Sequence, residues 1–555
     1  MLSEPAVGKN FFGRDDLLQI LAKRVETLKD GYRQNVAITG QSLAGKSSLL
    51  QHFLYTVRDD SFIPVYVEIG RETLSSFANK FIATLLYNSL RSKGAQTARD
   101  ISGLLEKADG ILPKTTQAIR QILSQIEKRQ LTEAYANLLG LTSTLKDETA
   151  RSCIVILDEF HNIESFDIKN PFSTFGKVIM LQRDTMYIVS SSKLAAIKKI
   201  LQEKLALLFG NFEIIEMKGF DARRSSGFID WKLSPITIDA DLKKFLIAFT
   251  GGNPFYLDCL AVELKRIAQG VSQEAATQET MEEALLRLIY NSNGTIHQYL
   301  LNYLLDSLDM KNRDSYIDLL IVIAKGVNRL RDIPRTVKKN SSEVSRMLGR
   351  LTEAGLISKQ GVFYIIEDRM LCFWLKHVYH RKQTILINNV LEKTYFYRED
   401  IKGHISLFLR DVSQTLIARV AELFNLFSND LMQQEDKAIL LPQFTRVALD
   451  TFDDLRPHIT AMSKNKCWVS RIYTAPVLED DIADCVRHIR SLQQKIGRFV
   501  VIPLAGIDDN AKLLAKELKF SLWDIEFVNT LLYIYGRNAI VFLSAFAENP
   551  AHGRG

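Results

Sequence analysis

Residues 40–48 read Gly40-Gln41-Ser42-Leu43-Ala44-Gly45-Lys46-Ser47-Ser48. The stretch fits G-x-x-x-x-G-K-[ST] at every fixed position. That pattern carries meaning only between a strand and a helix. Upstream, residues 35–39 (NVAIT) are a short apolar run that predicts a strand. Downstream, SSLLQHFLYTV from Ser47 onward predicts a helix. In that setting the glycines let main chain wrap a phosphate, and the helix N-terminus adds its dipole. Lys46 is expected to bridge the β- and γ-phosphates of ATP, and the Ser47 hydroxyl to ligate Mg2+. Gly40, Gln41, Ser42, Leu43, Ala44, Gly45 and Ser48 complete the expected nucleotide contacts.

A triphosphate site also needs a carboxylate at the end of a neighbouring strand. Residues 153–157 (CIVIL) are a continuous apolar run, as a strand buried on both faces requires, and Asp158-Glu159 comes directly after. Asp158 is expected in the Mg2+ shell and Glu159 against the attacking water. His161 and Asn162 read as polar loop groups, either of which could assist. Residues 186–189 predict another strand, ending at Ser190-Ser191-Ser192-Lys193. Ser191 is the expected contact to the γ-phosphate or the lytic water. Arg183, beside Asp184, could reach a neighbouring subunit's nucleotide. Further strands at 63–69 and 212–217, alternating with helices at 14–30 and 174–183, predict a doubly wound α/β sheet. Residues 73–148 read as mostly helical, with breaks near Gly103, Gly110 and Pro113.

The 555 residues allow three or four domains, with 46% hydrophobic and 24% charged residues. The net charge of +7 permits a nucleic-acid partner without demanding one. Cys153, Cys259, Cys372, Cys467 and Cys485 form no C-x-x-C pair, which argues against a zinc site or a disulfide framework. No apolar signal core and no run of about 18 apolar residues appears, so the reading is a cytoplasmic protein without a membrane span. The expected divisions are 1–220 for the nucleotide core, 221–306 for a helical region interrupted by Gly251-Gly252-Asn253-Pro254, 313–382, and 385–555.

Asn10-Phe11-Phe12-Gly13-Arg14-Asp15-Asp16-Leu17 resembles the F-x-G-R-x-x-E/D-L box that opens archaeal-type P-loop ATPases of the STAND/AAA+ group. The order of box, phosphate loop, hydrophobic-D-E strand, polar sensor strand and G-G-N-P lid is similar too. The resemblance implies that Phe12, Gly13 and Arg14 lie near the adenine, with Gly252 and Pro254 covering it. Ser191-Ser192-Lys193 stands where such relatives often carry a sensor arginine.

Helices at 316–324, 331–338 and 341–355, then two short strands around a glycine, are the outline of a winged helix. Residues 341–359 (SSEVSRMLGRLTEAGLISK) resemble its recognition helix and wing. Residues 313–382 hold 14 Lys/Arg against 7 Asp/Glu, an excess equal to that of the whole chain. Lys338, Lys339, Ser342, Ser345, Arg346 and Arg350 are the candidate contacts to double-stranded DNA. Such a domain can instead dock proteins. The segment after it reads as packing, with Phe373 and Trp374 in the core.

The C-terminal region, with a helix at 405–430, strands at 439–449, 467–473 and 499–506, and helices at 479–495 and 509–518, resembles the restriction-endonuclease-like fold. Aligned on Trp468, Arg471 takes the acidic position and Tyr473 the lysine position of W-V-x-E-x-K. Arginine cannot ligate Mg2+. Cleavage chemistry is therefore expected to be lost, unless Asp450, Asp453 and Asp454 rebuild a site. The readings are an ATP-hydrolysing regulator or motor on DNA, an ATP-dependent nuclease, or a STAND-type signalling ATPase that recruits a protein partner. A homo-oligomer is expected.

Overall fold

The computed structural model describes residues 4–57, 59–95, 97–205, 212–308, 311–384, 390–434, 437–450, 457–464, 466–491 and 496–543. It divides into two compact units, residues 1–219 and 220–555.

The first unit runs α1 (Asp15–Lys29), β1 (Asn35–Thr39), α2 (Lys46–Thr56), β2 (Phe62–Glu68), α3 (Leu74–Ser92), α4 (Ile101–Asp109), α5 (Pro113–Glu127), α6 (Leu131–Thr149), β3 (Ser152–Asp158), α7 (Pro171–Leu181), β4 (Thr185–Ser191), α8 (Leu194–Lys199) and β5 (Phe212–Glu216). The five strands form one parallel sheet in the order β2-β3-β4-β1-β5. Burial depends on position in that order. The inner strands β1 and β4 are buried throughout, whereas the edge strands β2 and β5 alternate.

Two apolar clusters, one on each face, make this a three-layer α/β/α unit. Val36, Ile38, Ile154, Ile156, Met186 and Ile188 join Leu21, Val25, Leu49, Leu50 and Phe53 of α1 and α2. Ala37, Val155, Leu157, Tyr187 and Val189 join residues of α3–α7. The period-2 alternation of strand side chains sorts them. The chain leaves β1 toward the β2 side and leaves β4 toward β5, so the adjacent carboxyl ends of β1 and β4 are a topological switch point, where such sheets open a ligand crevice.

Three local expectations need adjustment. The break expected at Gly103 falls inside α4, whose cap Asp100 accepts the Gly103 N–H at 3.3 Å. The chain breaks instead before Asp100 and again between α5 and α6. Helix α7 starts earlier than 174, with Pro171 at its first turn, where a missing N–H costs nothing. Strand β4 runs on through Ser190 and Ser191, so both serines are strand residues and not loop residues.

The second unit opens with α9 (Ala222–Leu233), β6 (Thr237–Ile238), α10 (Ala240–Thr250), α11 (Pro254–Gly270), β7 (Ala275–Ala276), α12 (Gln278–Leu285) and α13 (Thr295–Ser307). Then come α14 (Arg313–Ala324), α15 (Ile333–Val337), α16 (Ser341–Glu353) and the antiparallel pair β8 (Ser358–Gln360) and β9 (Phe363–Ile365).

Next are α17 (Arg369–Trp374), α18 (His380–Thr384), α19 (Val390–Ser413) and α20 (Leu416–Asn425), then the hairpin β10 (Asp430–Gln434) and β11 (Lys437–Leu441). At the end of α17, Trp374 is buried, and Phe373 is half-buried against Phe249 and His404. The helix expected to reach 430 ends at Asn425. The strand expected at 439–449 is broken at Pro442, which cannot donate to a ladder. The last elements are β12 (Arg446–Asp450), β13 (His458–Ser463), β14 (Lys466–Tyr473), α21 (Glu479–Ser491), β15 (Ile496–Pro503), α22 (Asp509–Glu517), β16 (Ser521–Leu522) and α23 (Ile525–Ile534). Strands β12–β16 form a mixed sheet in sequence order, antiparallel up to β14 and parallel beyond it.

The boundaries expected at 306–313 and 382–385 fall inside this compact unit. The β8–β9 hairpin is built into the C-terminal core, where Phe363 and Ile365 share a cluster with Phe424, Phe427, Trp468 and Trp523. Its turn seats on β10, with the Val362 N–H donating to Leu431 O at 3.0 Å. A Cβ on Gly361 would stand 2.1 Å from Leu431 O, so only glycine permits that approach. Arg329 donates to both oxygens of buried Asp430, at 3.0 and 2.9 Å, and Tyr535 OH adds a third bond at 2.8 Å. Among the described residues, no helix is long and apolar enough to cross a membrane.

Candidate nucleotide site

The loop leaving β1 turns sharply. Leu43 and Gly45 have φ of 58° and 93°, and Ala44 N–H donates back to Gln41 O at 3.3 Å. A Cβ on Gly40 would lie 2.2 Å from Met217 O, just past β5. Gly40→Ala is therefore expected to force β5 away and to destabilise the chain by about 2 kcal/mol, roughly 4–8 °C in thermal unfolding. An unchanged melting temperature would remove this reason for the glycine.

Helix α2 begins at Lys46 with no side-chain cap on Gly45. Its first N–H groups therefore point into the loop without a capping oxygen, which is the arrangement that favours an anion. Lys46 is buried, and its ammonium donates to Gly40 O at 3.0 Å and Gln41 O at 2.8 Å. Burial lowers its pKa, and the carboxylates of Glu159 and Asp158 partly oppose that.

Asp158, at the end of β3, is 1% exposed and collects four donors. Ser47 Oγ and Tyr66 OH donate to Oδ2 at 2.6 and 2.8 Å. Ser190 Oγ and the Glu159 N–H donate to Oδ1, the latter at 3.0 Å. So the structure brings together Lys46, Ser47, Asp158 and Glu159 at the carboxyl edge of the sheet. The Ser47 hydroxyl and the Asp158 carboxylate are adjacent hard oxygens, which suits Mg2+ when phosphate and water complete the shell.

Glu159 has φ 52°, a sparsely populated conformation for a non-glycine residue. Its Oε2 accepts the Ser192 N–H at 3.0 Å and Ser192 Oγ–H at 2.8 Å. His161 Nδ1 lies 3.3 Å from the same oxygen and 3.0 Å from Ser191 Oγ. The three serines thus divide: Ser190 holds Asp158, Ser191 meets His161, and Ser192 holds Glu159. Ser191, favoured from sequence as the phosphate contact, is fully buried. Asn162 Nδ2 donates to Ile69 O at 2.8 Å, tying its loop to the end of β2.

The segment leading into the N-terminal box lies against α2. Ala6 N–H donates to Ser48 Oγ at 3.0 Å and Gly8 N–H to His52 Nδ1 at 3.0 Å. Phe11 stacks on His52 with ring centroids 4.0 Å apart. Half-buried Phe12 and Gly13 lead to Arg14, whose Nη2 donates to Lys218 O at 2.5 Å, next to the Met217 that confines Gly40. Pro254 opens α11 in the second unit, where Asn253 accepts the Phe255 N–H at 3.0 Å. Arg183 is exposed at the amino end of β4, away from the carboxyl edge that holds Lys46 and Asp158.

Sequence reasoning missed Tyr66 as a partner of the acidic pair, and named His161 only as a loop group able to assist. The β2–β3 register, Glu68 opposite Asp158, puts Tyr66 on the strand that flanks Asp158, but register is not legible before the sheet order is known. For His161 the signal was its spacing from Glu159.

The six candidate DNA contacts divide as well. Lys338, Ser342, Ser345, Arg346 and Arg350 are exposed, while Val344, Met347, Leu348 and Leu351 are buried on the opposite side of α16. Lys339 is half-buried and paired with Glu343 at 2.5 Å. Arg350 Nη1 also donates to Tyr316 OH at 3.1 Å. At the aligned nuclease positions Arg471 is buried, and Tyr473 OH lies 3.2 Å from Cys485 Sγ. Asp450 ends β12, and Asp453 and Asp454 lie outside the described residues.

Residues 10–169 match the family model described as AAA ATPase domain. No curated protein matches the chain by sequence. Among solved structures, the chain is similar to a Walker-type ATPase of Pyrococcus abyssi at 17% identity and TM-score 0.49, covering 68% of this chain and 99% of that one. The ORC2 protein of Aeropyrum pernix is 13% identical at TM-score 0.44, covering 69% and 98%. The RuvB Holliday junction branch migration motor of Thermotoga maritima is 12% identical at TM-score 0.33, covering 66% and 95%.

Proposed function

We propose that residues 1–219 bind ATP with Mg2+ and hydrolyse ATP, and that the second unit applies the resulting change to double-stranded DNA. The observation that carries this reading is the 2.6 Å contact between Ser47 Oγ and Asp158, made beside a buried lysine and an uncapped helix start. Lys46 would meet the β- and γ-phosphates, and the first N–H groups of α2 would bind phosphate oxygens. Ser47 and Asp158 would hold the Mg2+. When bound, that ion supplies charge neutralisation on the phosphates. Glu159 would take a proton from the attacking water. Phe12, Gly13 and Arg14 border the same end of the sheet, which supports a place near the base.

The DNA part rests on the second unit. Three helices and a hairpin, in that order, support the winged-helix reading of 313–382, and the exposed side of α16 supports phosphate contacts through Arg346 and Arg350. ATP turnover measured with and without double-stranded DNA, across salt, tests it. The expected result is stimulation that fades steeply with salt. Arg346→Glu is expected to weaken DNA binding at least tenfold and to lower the salt slope by about 1 or more. No stimulation and no salt-dependent binding would remove DNA from the reading.

One observation favours the second reading, a signalling ATPase with a protein partner. The β8–β9 hairpin, the wing of the resemblance, is engaged by the C-terminal core, as interdomain docking modules are. We assign no cleavage to the C-terminal sheet, because Arg471 and Tyr473 offer no carboxylate at the aligned positions.

A further inference from the structure

A carboxylate that works as a base on one water needs something to aim it. Glu159 sits at a positive φ, one residue past the strand, where a free carboxylate would sample several directions. All three contacts described for it fall on one oxygen, Oε2. Two come from Ser192 at the end of β4 and the third from the His161 imidazole, whose side chain is 10% exposed. The same ring nitrogen, Nδ1, also lies 3.0 Å from Ser191 Oγ. That hydroxyl is fixed in turn by the Lys193 N–H at 3.1 Å.

We infer that His161 is a positioning residue for Glu159: its Nδ1–H, shared between Glu159 Oε2 and Ser191 Oγ, holds that carboxylate on the end of β4 with Oε1 left to take the proton. This inference rests on the proposed role of Glu159 in ATP hydrolysis. A carboxylate only accepts, so the tautomer that fits carries its hydrogen on Nδ1. Burial, and after it the nearby cations Lys193, Arg71 and Lys46, pushes the His161 pKa down to about 4, so the ring is neutral near pH 7. His161 gains and loses no proton in the step. The water proton passes to Glu159, the water oxygen bonds to the γ-phosphorus, and the bond from that phosphorus to the ADP oxygen breaks.

The geometry makes a prediction that simple packing does not. An asparagine amide nitrogen stands where Nδ1 does, whereas a glutamine amide reaches to the place of Nε2. In the full chain, His161→Ala and His161→Gln are expected to lower kcat about 10- to 100-fold, the scale of one hydrogen bond to a charged group, with the ATP Kd within threefold. His161→Asn is expected to recover kcat to within threefold of the parent. A parental kcat in His161→Ala overturns the inference. So does equal kcat in the Asn and Gln variants, a comparison that stands even where the alanine variant does not fold. Glu159→Gln is run alongside. If it hydrolyses ATP at the parental rate, or the parent does not hydrolyse ATP, the underlying reading fails first. If Glu159→Gln is slow and His161→Ala is not, only the role of His161 falls.

Discussion

Lys46→Ala is expected to abolish measurable ATP binding. Lys46 is set directly at the start of α2, and it is buried with its donors fixed by Gly40 O and Gln41 O. An ammonium has three N–H donors, so at least one remains for a phosphate oxygen. A hydrogen bond to a charged group contributes about 1.5–3 kcal/mol, so losing that contact costs roughly 10- to 100-fold in Kd, and the lost charge attraction to the phosphates adds to it. Lys46→Arg is not expected to restore binding. The guanidinium is planar, larger and differently directed than the ammonium that this buried position holds. The measurement is ATP titration followed by calorimetry, with thermal unfolding as the control for folding. The parent should gain thermal stability with ATP and Mg2+, and the variant should not. Parental affinity in Lys46→Ala would separate the loop from the nucleotide.

The second large effect is expected at Glu159. Glu159→Gln keeps an oxygen that can accept the Ser192 N–H, so the loop should keep its shape. The amide cannot take a proton from water. General-base catalysis is worth about 10²- to 10⁴-fold, and kcat should fall by that factor while the ATP Kd stays within about threefold. The split matters more than the size. A variant that binds normally and turns over slowly has lost a contact used in the transition state, whereas weaker binding with unchanged kcat would mean that Glu159 serves only the ground state. Equal turnover in the variant and the parent would contradict the assignment.

The nucleotide core was legible because its signals are local. A strand, a glycine loop and a helix start are contiguous in sequence, and CIVILDEF announces a doubly buried strand ending in carboxylates. Burial of β3 from Cys153 to Asp158 has that form. The partners of those carboxylates were not legible, because Tyr66, Ser190 and Ser192 reach Asp158 and Glu159 only through sheet order and register. Ser191 was chosen from three serines that look alike in sequence. Strand alternation sends Ser190 toward Asp158, while Ser191 meets His161. In the second unit, α16 was clear from its apolar period, with Val344, Leu348 and Leu351 buried as spaced. The seat of the hairpin on β10 was hidden, because it depends on a long-range backbone approach at Gly361. The β10–β11 hairpin has short, half-exposed strands (DLMQQ and KAILL) in which Leu431 and Leu440 face out and Asp430 is buried, so the apolar pattern does not report the burial.

The most direct measurement is a calorimetric titration of the full chain with ATP, ADP and AMP, each with and without Mg2+. The account predicts one saturable site that needs the phosphates, with AMP at least ~100-fold weaker than ATP and with Mg2+ tightening ATP binding through Ser47 and Asp158. No heat with ATP and Mg2+, or AMP bound as tightly as ATP, would contradict it.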